Sequence, residues 1–194
     1  MKTGKVELKR RVRRNEIIAA ARKCFEERGL HGTTMAYVAE HAHLSVGQVY
    51  RVFESKEEII EVIITDVINA KIEAMIEDNH NLKQKARALA GIVTSPVNKY
   101  RDDLLLMEIT AESKRNPRLL AILKMADNRL KEEDGRLIRN KHPNFSESKI
   151  NVISEFIAVL TEGTLYRKGI QEDFAHKTEM NEFYEQMFSF IFDS

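Results

Sequence analysis

Glycine, proline and cysteine are scarce in this chain. Its 194 residues include 8 Gly, 3 Pro and 1 Cys. Strands and tight turns use glycine and proline, so their scarcity favours an all-helical fold. The single thiol, Cys24, has no partner for an internal disulfide, which fits a reducing cytoplasm. We therefore expect an all-α protein that works in the cytoplasm.

Long apolar runs are missing as well. The purely apolar runs are only a few residues long, and none follows the basic segment 2–14. A membrane helix needs about 20 apolar residues, so we expect no signal peptide and no membrane partner. Hydrophobic residues make up 43% of the chain and charged residues 31%, as in ordinary globular proteins. A chain of this length has room for a small head and a larger body.

The common catalytic and metal-binding motifs are also absent from the sequence. It has no H-E-x-x-H, no G-x-x-x-x-G-K-[ST], no G-x-S-x-G and no paired cysteines, so we expect no enzyme, no cofactor and no metal. Glu77-x-x-His80 and Asp173-x-x-His176 have the i, i+3 spacing used in di-iron helical bundles. The partner carboxylates of such a site are not evident, and we interpret both pairs as surface residues.

The charge of the chain is unevenly distributed. Residues 1–55 hold 11 Lys and Arg against 6 Asp and Glu, a net charge of +5, whereas the remainder has a net charge of −4. Seven of the basic residues lie in segment 2–14, which we expect to be a flexible arm leading into a helix. A basic end is a candidate surface for a polyanion, and the alternative is a solvated charged face.

Apolar spacing and capping residues predict three helices near the N-terminus. Gly29 is a natural stop for the first, Thr34 is a good N-cap for the second, and Ser45-x-x-Gln48 is a capping box that opens the third. The predicted spans are about 10–28, 35–41 and 46–52. Two short helices across a three-residue break, after a longer helix, form a helix-turn-helix, here at about 34–53.

The rest of the chain is predicted to be helical, which gives about nine helices in all. A second capping box, Ser55 to Glu58, opens a long fourth helix. Asn116-Pro117 separates two later helices because the residue before proline avoids helical geometry. The remaining predicted spans are about 82–99, 102–115, 117–140, 146–169 and 178–192.

Residues 14–59 resemble the DNA-binding signature of the TetR family (TetR/AcrR type). The resemblance implies a helix-turn-helix head over 11–71 and a helical regulatory and dimerisation body over 72–194. Two positions depart from the pattern. His43 stands where glycine is usual, and we expect a positive φ there. Val52 stands where a phosphate-contacting Tyr or His is usual. The matching positions are Arg14, Ile17, Ile18, Ala20, Ala21, Phe25, Gly29, Thr33, Thr34, Met35, Val38, Ala39, Ala42, Ser45, Gly47, Tyr50, Phe53, Ser55, Lys56, Glu57 and Ile59.

The third helix would then lie in the major groove of an operator. Gln can pair bidentately with adenine and Arg with guanine, and valine can meet a thymine methyl. The alternatives are that Gln48 is occupied by its capping box, that Tyr50 is core and that Arg51 is solvated. Val49 and Phe53 are expected to be core. The predicted DNA-contacting residues are Arg14, Thr33, Thr34, Ser45, Val46, Gly47, Gln48, Tyr50, Arg51 and Lys56.

The resemblance also implies a homodimer and a small-molecule effector bound in the body. One head buries too little surface for a strong site, so two heads on a near-palindrome are expected. The predicted dimer residues are Phe156, Val159, Leu160, Gly163, Phe183, Met187, Phe190 and Ile191. The predicted effector-lining residues are Leu89, Val93, Tyr100, Met107, Met125, Arg129 and Tyr166. At helical spacing, either set could instead close the monomer core.

The function predicted from these features is transcription regulation. A repressor released by a hydrophobic or aromatic effector is the main hypothesis. A transcriptional activator of the same fold and a helical adaptor that binds protein remain the alternatives.

Overall fold

A computed structural model describes residues 2–79, 81–92, 97–170 and 174–193, with side chains from residue 6 onward except those of 97–100. All regular secondary structure in these ranges is helical, which confirms the all-α prediction. The helices are α1 (Lys2–Gly32), α2 (Met35–His41), α3 (Val46–Tyr50), α4 (Lys56–Asp78), α5 (Leu82–Leu89), α6 (Val97–Ser113), α7 (Pro117–Lys141), α8 (Glu147–Ile170) and α9 (Lys177–Phe192).

The chain forms two compact units. Unit 1 consists of residues 1–67 and 104–124, and unit 2 consists of residues 68–103 and 125–194. Along the chain, α4, α6 and α7 each contribute residues to both units. Unit 1 therefore contains the predicted helix-turn-helix together with the end of α6 and the start of α7.

The core of unit 1 follows the apolar spacing of the sequence. Its largest fully buried side chains come from α1, from the segment between α3 and α4, and from α4, α6 and α7. Each such side chain contributes about 1.5–3 kcal/mol when it is fully removed from water. These residues are Ile17, Phe25, Phe53, Ile59, Ile60, Ile63, Ile64, Ile109 and Leu119.

The first helix is longer than predicted at both ends. It begins at Lys2, where we had expected a flexible arm, because Lys, Arg and Glu are good helix formers and extending a helix needs no new nucleus. At the other end, Gly29 does break the helical geometry, with φ 67° and ψ 174°, but one further turn follows to Gly32. The predicted stop is therefore a kink.

Three side chains hold the link between α1 and α2, residues 29–34. The buried hydroxyl of Thr33 donates to the carbonyls of Cys24 and Gly29, at 2.9 and 2.8 Å. The ammonium of Lys56 donates to the carbonyls of Leu30 and Thr33, the latter at 3.1 Å. The carboxylate of Glu108 on α6 accepts the amide of Leu30 at 2.6 Å. Polar backbone groups freed by the kink are thus satisfied by side chains.

The core of unit 2 is built from α5, α7, α8 and α9. Two ion pairs join α7 to α8: Lys131 lies 2.7 Å from Glu155, and Arg139 binds Glu147 through two bonds of 2.8 Å. The hydrogen bonds with Glu155 and Asp127 raise the pKa of Lys131. The buried residues of this core are Ala86, Leu89, Ile138, Ile150, Ile153, Ile157, Phe188 and Phe192.

The predicted fifth helix is wrong in its length. It ends at Leu89 instead of 99, because Gly91 adopts φ 74° and forms a Schellman cap. The amide of Ile92 reaches the carbonyl of Arg87 at 2.9 Å. A Cβ at Gly91 would lie 2.6 Å from the ring of Phe174, so only glycine fits this position.

Candidate nucleic-acid interface

The helix-turn-helix is fixed by two terminal caps. At the start of α2, the hydroxyl of Thr34 accepts the amide of Tyr37 at 3.2 Å, as its predicted N-cap role requires. At its end, His43 adopts φ 54°, which confirms the predicted positive φ. The amide of His43 bonds to Glu40, and the amide of Leu44 bonds to Ala39 at 2.9 Å, so the turn is a Schellman cap.

The third helix is capped by its own side chains. The hydroxyl of Ser45 accepts the amide of Gln48 at 3.3 Å, and the carboxamide oxygen of Gln48 accepts the amide of Ser45 at 2.9 Å. The predicted capping box is therefore present. Val49 and Phe53 are fully buried, as expected, and fix the rotation of the helix about its axis.

This rotation leaves one face of α3 in solvent. Val46 is 40% exposed and Tyr50 is 51% exposed, so neither belongs to the core. The guanidinium of Arg14 is half-buried and lies 5.0 Å from the ring centroid of Phe53, where it stacks on the core. The predicted DNA-contacting residues that are exposed are Thr34, Ser45, Val46, Gly47, Gln48, Tyr50 and Arg51.

Two of the predicted contacts are used elsewhere. Thr33 is only 1% exposed and its hydroxyl donates to carbonyls of α1, so its side chain is not accessible to DNA. The ammonium of Lys56 is bound to carbonyls of the α1–α2 link. Only one of the two hydrogen bonds of the second predicted capping box is present. The hydroxyl of Ser55 accepts the amide of Glu58, but the carboxylate of Glu58 accepts the amide of Glu54, at 2.7 Å, and not that of Ser55.

A polar cluster between α1 and α2 was not predicted. The guanidinium of Arg28 lies 3.8 Å from the ring centroid of Tyr37, and the Tyr37 hydroxyl donates to Glu27 at 3.0 Å. Partial burial and the hydrogen bond to Glu27 raise the pKa of Tyr37. His41 lies 3.5 Å from the same carboxylate. The i, i+4 spacing of Tyr37 and His41 was the only signal in the sequence.

The predicted effector-lining residues that the structure describes differ in their burial. Leu89 is buried among core residues, whereas Met125, Arg129 and Tyr166 are exposed. Met107 is half-buried and belongs to unit 1. Val93 and the side chain of Tyr100 lie outside the described residues. Unit 2 also has an open cleft of about 480 Å³, which is lined by Asp78, Asn79, Asn81, Leu82, Lys83, Lys141 and His142.

Helices α8 and α9 each carry an exposed apolar stripe. On α8 the exposed apolar positions recur at alternating steps of four and three residues, and on α9 they lie three and seven residues apart. Leu160, Met187 and Ile191, which we had placed in the dimer set, are partly buried and pack against their own core. The exposed members are Val152, Phe156, Val159, Gly163, Tyr166 and Ile170 on α8, and Met180, Phe183 and Phe190 on α9.

The two Glu/Asp and His pairs have one member each outside the described residues, namely His80 and Asp173. Among the residues that the structure does describe, no group of three His, Cys, Asp or Glu side chains could hold a metal ion. In the same part of the chain, no helix has the length and apolar character needed to cross a membrane.

Comparison with known proteins matches the head in sequence and the whole chain in fold. The family model of bacterial regulatory proteins, tetR family, matches residues 17–63. The HTH-type transcriptional regulator UidR of Escherichia coli (strain K12) is 31% identical over 111 residues, 57% of this chain and 57% of that protein. HbdR of Aromatoleum sp. (strain CIB), also an HTH-type transcriptional regulator, is 28% identical over 57% of this chain and 49% of its own length. The matches thus span about half the length of these relatives.

Solved structures share the complete architecture. Salmonella enterica GusR superposes with a TM-score of 0.77 at 21% identity, covering 94% of this chain and 96% of that chain. The multidrug binding protein EbrR, complexed with imidazole, gives 0.63 at 18% identity, covering 90% and 93%. At these identities the structures establish the fold alone. The match to the tetR family model is confined to the head, whereas the fold of these solved structures extends over nearly the whole chain.

Proposed function

We propose that this protein is a sequence-specific DNA-binding transcription regulator, a repressor that a small effector releases from its operator. The observation that carries the proposal is the exposed face of α3. A cap at its start and two buried anchors hold this helix in place, while the side chains of its outward face are exposed. A rigid, exposed recognition helix is what major-groove reading requires.

The exposed residues divide into two roles in this proposal. Val46, Gln48 and Arg51 face base edges. Gly47 lets the backbone approach the groove closely because it has no side chain, and the space around it is open, with no atom within 4 Å of an added Cβ. Thr34 and Tyr50 contact phosphates, since both carry exposed hydroxyls. The basic first turns of α1 add charge that favours any DNA sequence. We assign DNA binding to residues 11–71, and regulation and dimerisation to 72–194.

The same proposal requires a homodimer. The stripe on α8 has the alternating spacing of three and four residues by which helices pack in left-handed bundles, and the exposed apolar residues of α9 lie three and seven residues apart. Two copies would bury these stripes in a four-helix bundle. Exposed aromatic side chains such as Phe183 and Phe190 would otherwise remain in water. The two heads of this dimer would bind a near-palindromic operator in the cytoplasm.

The effector is proposed to be a small hydrophobic or aromatic compound. Support comes from EbrR, a multidrug binding protein of the same fold. A panel of apolar and aromatic compounds should contain members that raise the melting temperature of the protein and lower its affinity for the operator. A panel without one compound that does both would contradict this part of the proposal.

DNA binding is tested by fluorescence anisotropy with a duplex from the region that flanks the protein's own gene, against a scrambled duplex. We expect tight binding to the first duplex that falls steeply with salt, by about 0.9 log units per log unit of salt for each phosphate contacted. Equal binding to both duplexes would contradict sequence-specific recognition of this region.

A matched pair of arginine variants locates the binding face. Arg51→Ala removes an exposed cation next to α3 and should lower affinity about tenfold, the effect of losing about 1.4 kcal/mol. Arg136→Ala removes an exposed cation from α7, where it pairs with Glu133 at 2.8 Å. The second variant should bind as the wild type does. Equal losses in the two variants would mean that only overall charge matters.

A further inference from the structure

The oxygen and the nitrogen of the Gln48 carboxamide differ in their hydrogen bonding. Its oxygen, Oε1, lies 2.9 Å from the amide nitrogen of Ser45 and 3.1 Å from the Ser45 hydroxyl. A backbone N–H can only donate, so the atom that faces Ser45 is the carbonyl oxygen and not the amide nitrogen. The Gln48 nitrogen, Nε2, has two N–H donors that the capping box does not use, and the side chain is exposed.

This division has a consequence for base reading. Bidentate recognition of adenine needs both ends of a glutamine: the oxygen accepts from N6 and the nitrogen donates to N7. Two donors already occupy the lone pairs of Oε1 in Gln48. Guanine offers two acceptors, O6 and N7, and no donor at its major-groove edge. An amide group that has only donors free therefore matches guanine.

Resting on the proposed regulator function, we propose that Gln48 determines operator specificity by donating from its amide nitrogen to guanine while its oxygen stays in the capping box. This proposal differs from the bidentate pairing with adenine that the sequence analysis expected. A glutamate at this helical position would cap α3 equally well. The amide of glutamine differs from it in supplying donors, and Gly47 beside it leaves room for a base edge to approach.

The test exchanges this donor for an acceptor without disturbing the helix. Gln48→Glu keeps an oxygen for the Ser45 amide and replaces the free N–H donors by a carboxylate oxygen. Cytosine presents a donor, N4, at its major-groove edge. The variant should therefore shift the preferred base at one position of each half-site from guanine to cytosine, with a change of about tenfold or more in the ratio of the two affinities.

The measurement uses a set of operator duplexes in which each base pair is replaced in turn by the other three. Wild-type protein, Gln48→Glu and Gln48→Ala are titrated against every duplex. Ratios of affinities within one protein cancel the uniform loss that an added negative charge causes. Gln84→Glu is the matched control, since Gln84 occupies the same third helical position in α5. Its backbone amide donates to Oδ1 of the N-cap residue Asn81 at 3.1 Å. This control should keep the wild-type preferences.

The outcomes separate the inference from the proposed function. Two results together support donation from Gln48 to guanine: a shift in preference from guanine to cytosine that is confined to Gln48→Glu, and loss of the guanine preference in Gln48→Ala. A wild-type preference for adenine at the responding position would overturn it in favour of bidentate pairing. Unchanged preferences in both Gln48 variants would make Gln48 a helix cap only, with sequence-specific binding intact. Wild-type protein that does not distinguish the operator from a scrambled duplex would remove the proposed function itself.

Discussion

Replacing Gly29 by alanine should destabilise unit 1 through two separate effects. The backbone of Gly29, at φ 67° and ψ 174°, lies in a region that is essentially restricted to glycine. An added Cβ would also stand 2.7 Å from Oε1 of Glu108, the atom that accepts the amide of Leu30. The substitution therefore strains the kink and displaces the carboxylate that satisfies it.

The magnitude follows from these two contributions. Backbone strain of this kind costs about 1–3 kcal/mol. Weakening a hydrogen bond to a charged group costs about 1.5–3 kcal/mol, and the lower end applies because Glu108 is exposed. We expect a total of about 3 kcal/mol, which lowers the melting temperature of a chain of this size by roughly 6–12 °C.

Thermal and urea unfolding followed by circular dichroism measures the effect. Gly47→Ala is the control, because a Cβ at Gly47 meets no atom within 4 Å and alanine favours a helix; its stability should be unchanged or raised by up to about 1 kcal/mol. In the Glu108→Ala background, Gly29→Ala should cost less than in the wild type, since the clash is gone. A melting temperature of Gly29→Ala equal to that of the wild type would refute this reasoning.

Three further substitutions have defined outcomes. Thr33→Val leaves two carbonyls of α1 without their buried donor and should lower the free energy of unfolding in urea by about 1–3 kcal/mol. Thr33→Ser keeps the hydroxyl and should retain most of this free energy. Phe190→Glu places a charge in the stripe of α9, where 78% of the side chain is exposed in a single copy; sedimentation should show a monomer with an unchanged helical signal, and a persistent dimer would exclude this stripe from the interface. Burial and the charge of Lys141 lower the pKa of His142, so its contribution to stability is present above its ordinary pKa of about 6.5 and is lost as pH falls through the lowered value. His142→Gln should therefore flatten the decrease in urea midpoint between about pH 7.5 and pH 5, and an unchanged slope would contradict this assignment.

Local signals in the sequence were enough to predict the helix-turn-helix. Capping depends on residues that are three or four positions apart, so Thr34, Ser45 and Gln48 could be assigned without any knowledge of the fold. The positive φ of His43 was predicted from the family resemblance, because glycine is usual at that position. Apolar periodicity predicted that Val49 and Phe53 are core, but it left open whether Tyr50 is core or exposed.

Contacts between distant residues account for the errors. Lys56 binds Leu30, which lies 26 positions earlier, and a charge pattern gives no indication of where an ammonium group is bound. The end of α5 depends on Phe174, whose ring occupies the space beside Gly91. A lone glycine within an apolar pattern is tolerated in many helices, so the sequence alone favoured a longer one. Core residues and exposed apolar residues at helical spacing, such as Leu160 and Val159, also look alike until the packing is known.

The two faces of α3 separate folding from recognition. Val49 and the nearby Phe53 hold the helix in the core, whereas Val46, Gly47 and Tyr50 on its outer face stand in solvent. Substitutions on the outer face can therefore redirect the protein to a new operator with little loss of stability, which makes this head readily evolvable. Gln48 is the exception, because its capping oxygen links operator choice to the integrity of the helix. At that position new specificities are limited to residues that can also cap.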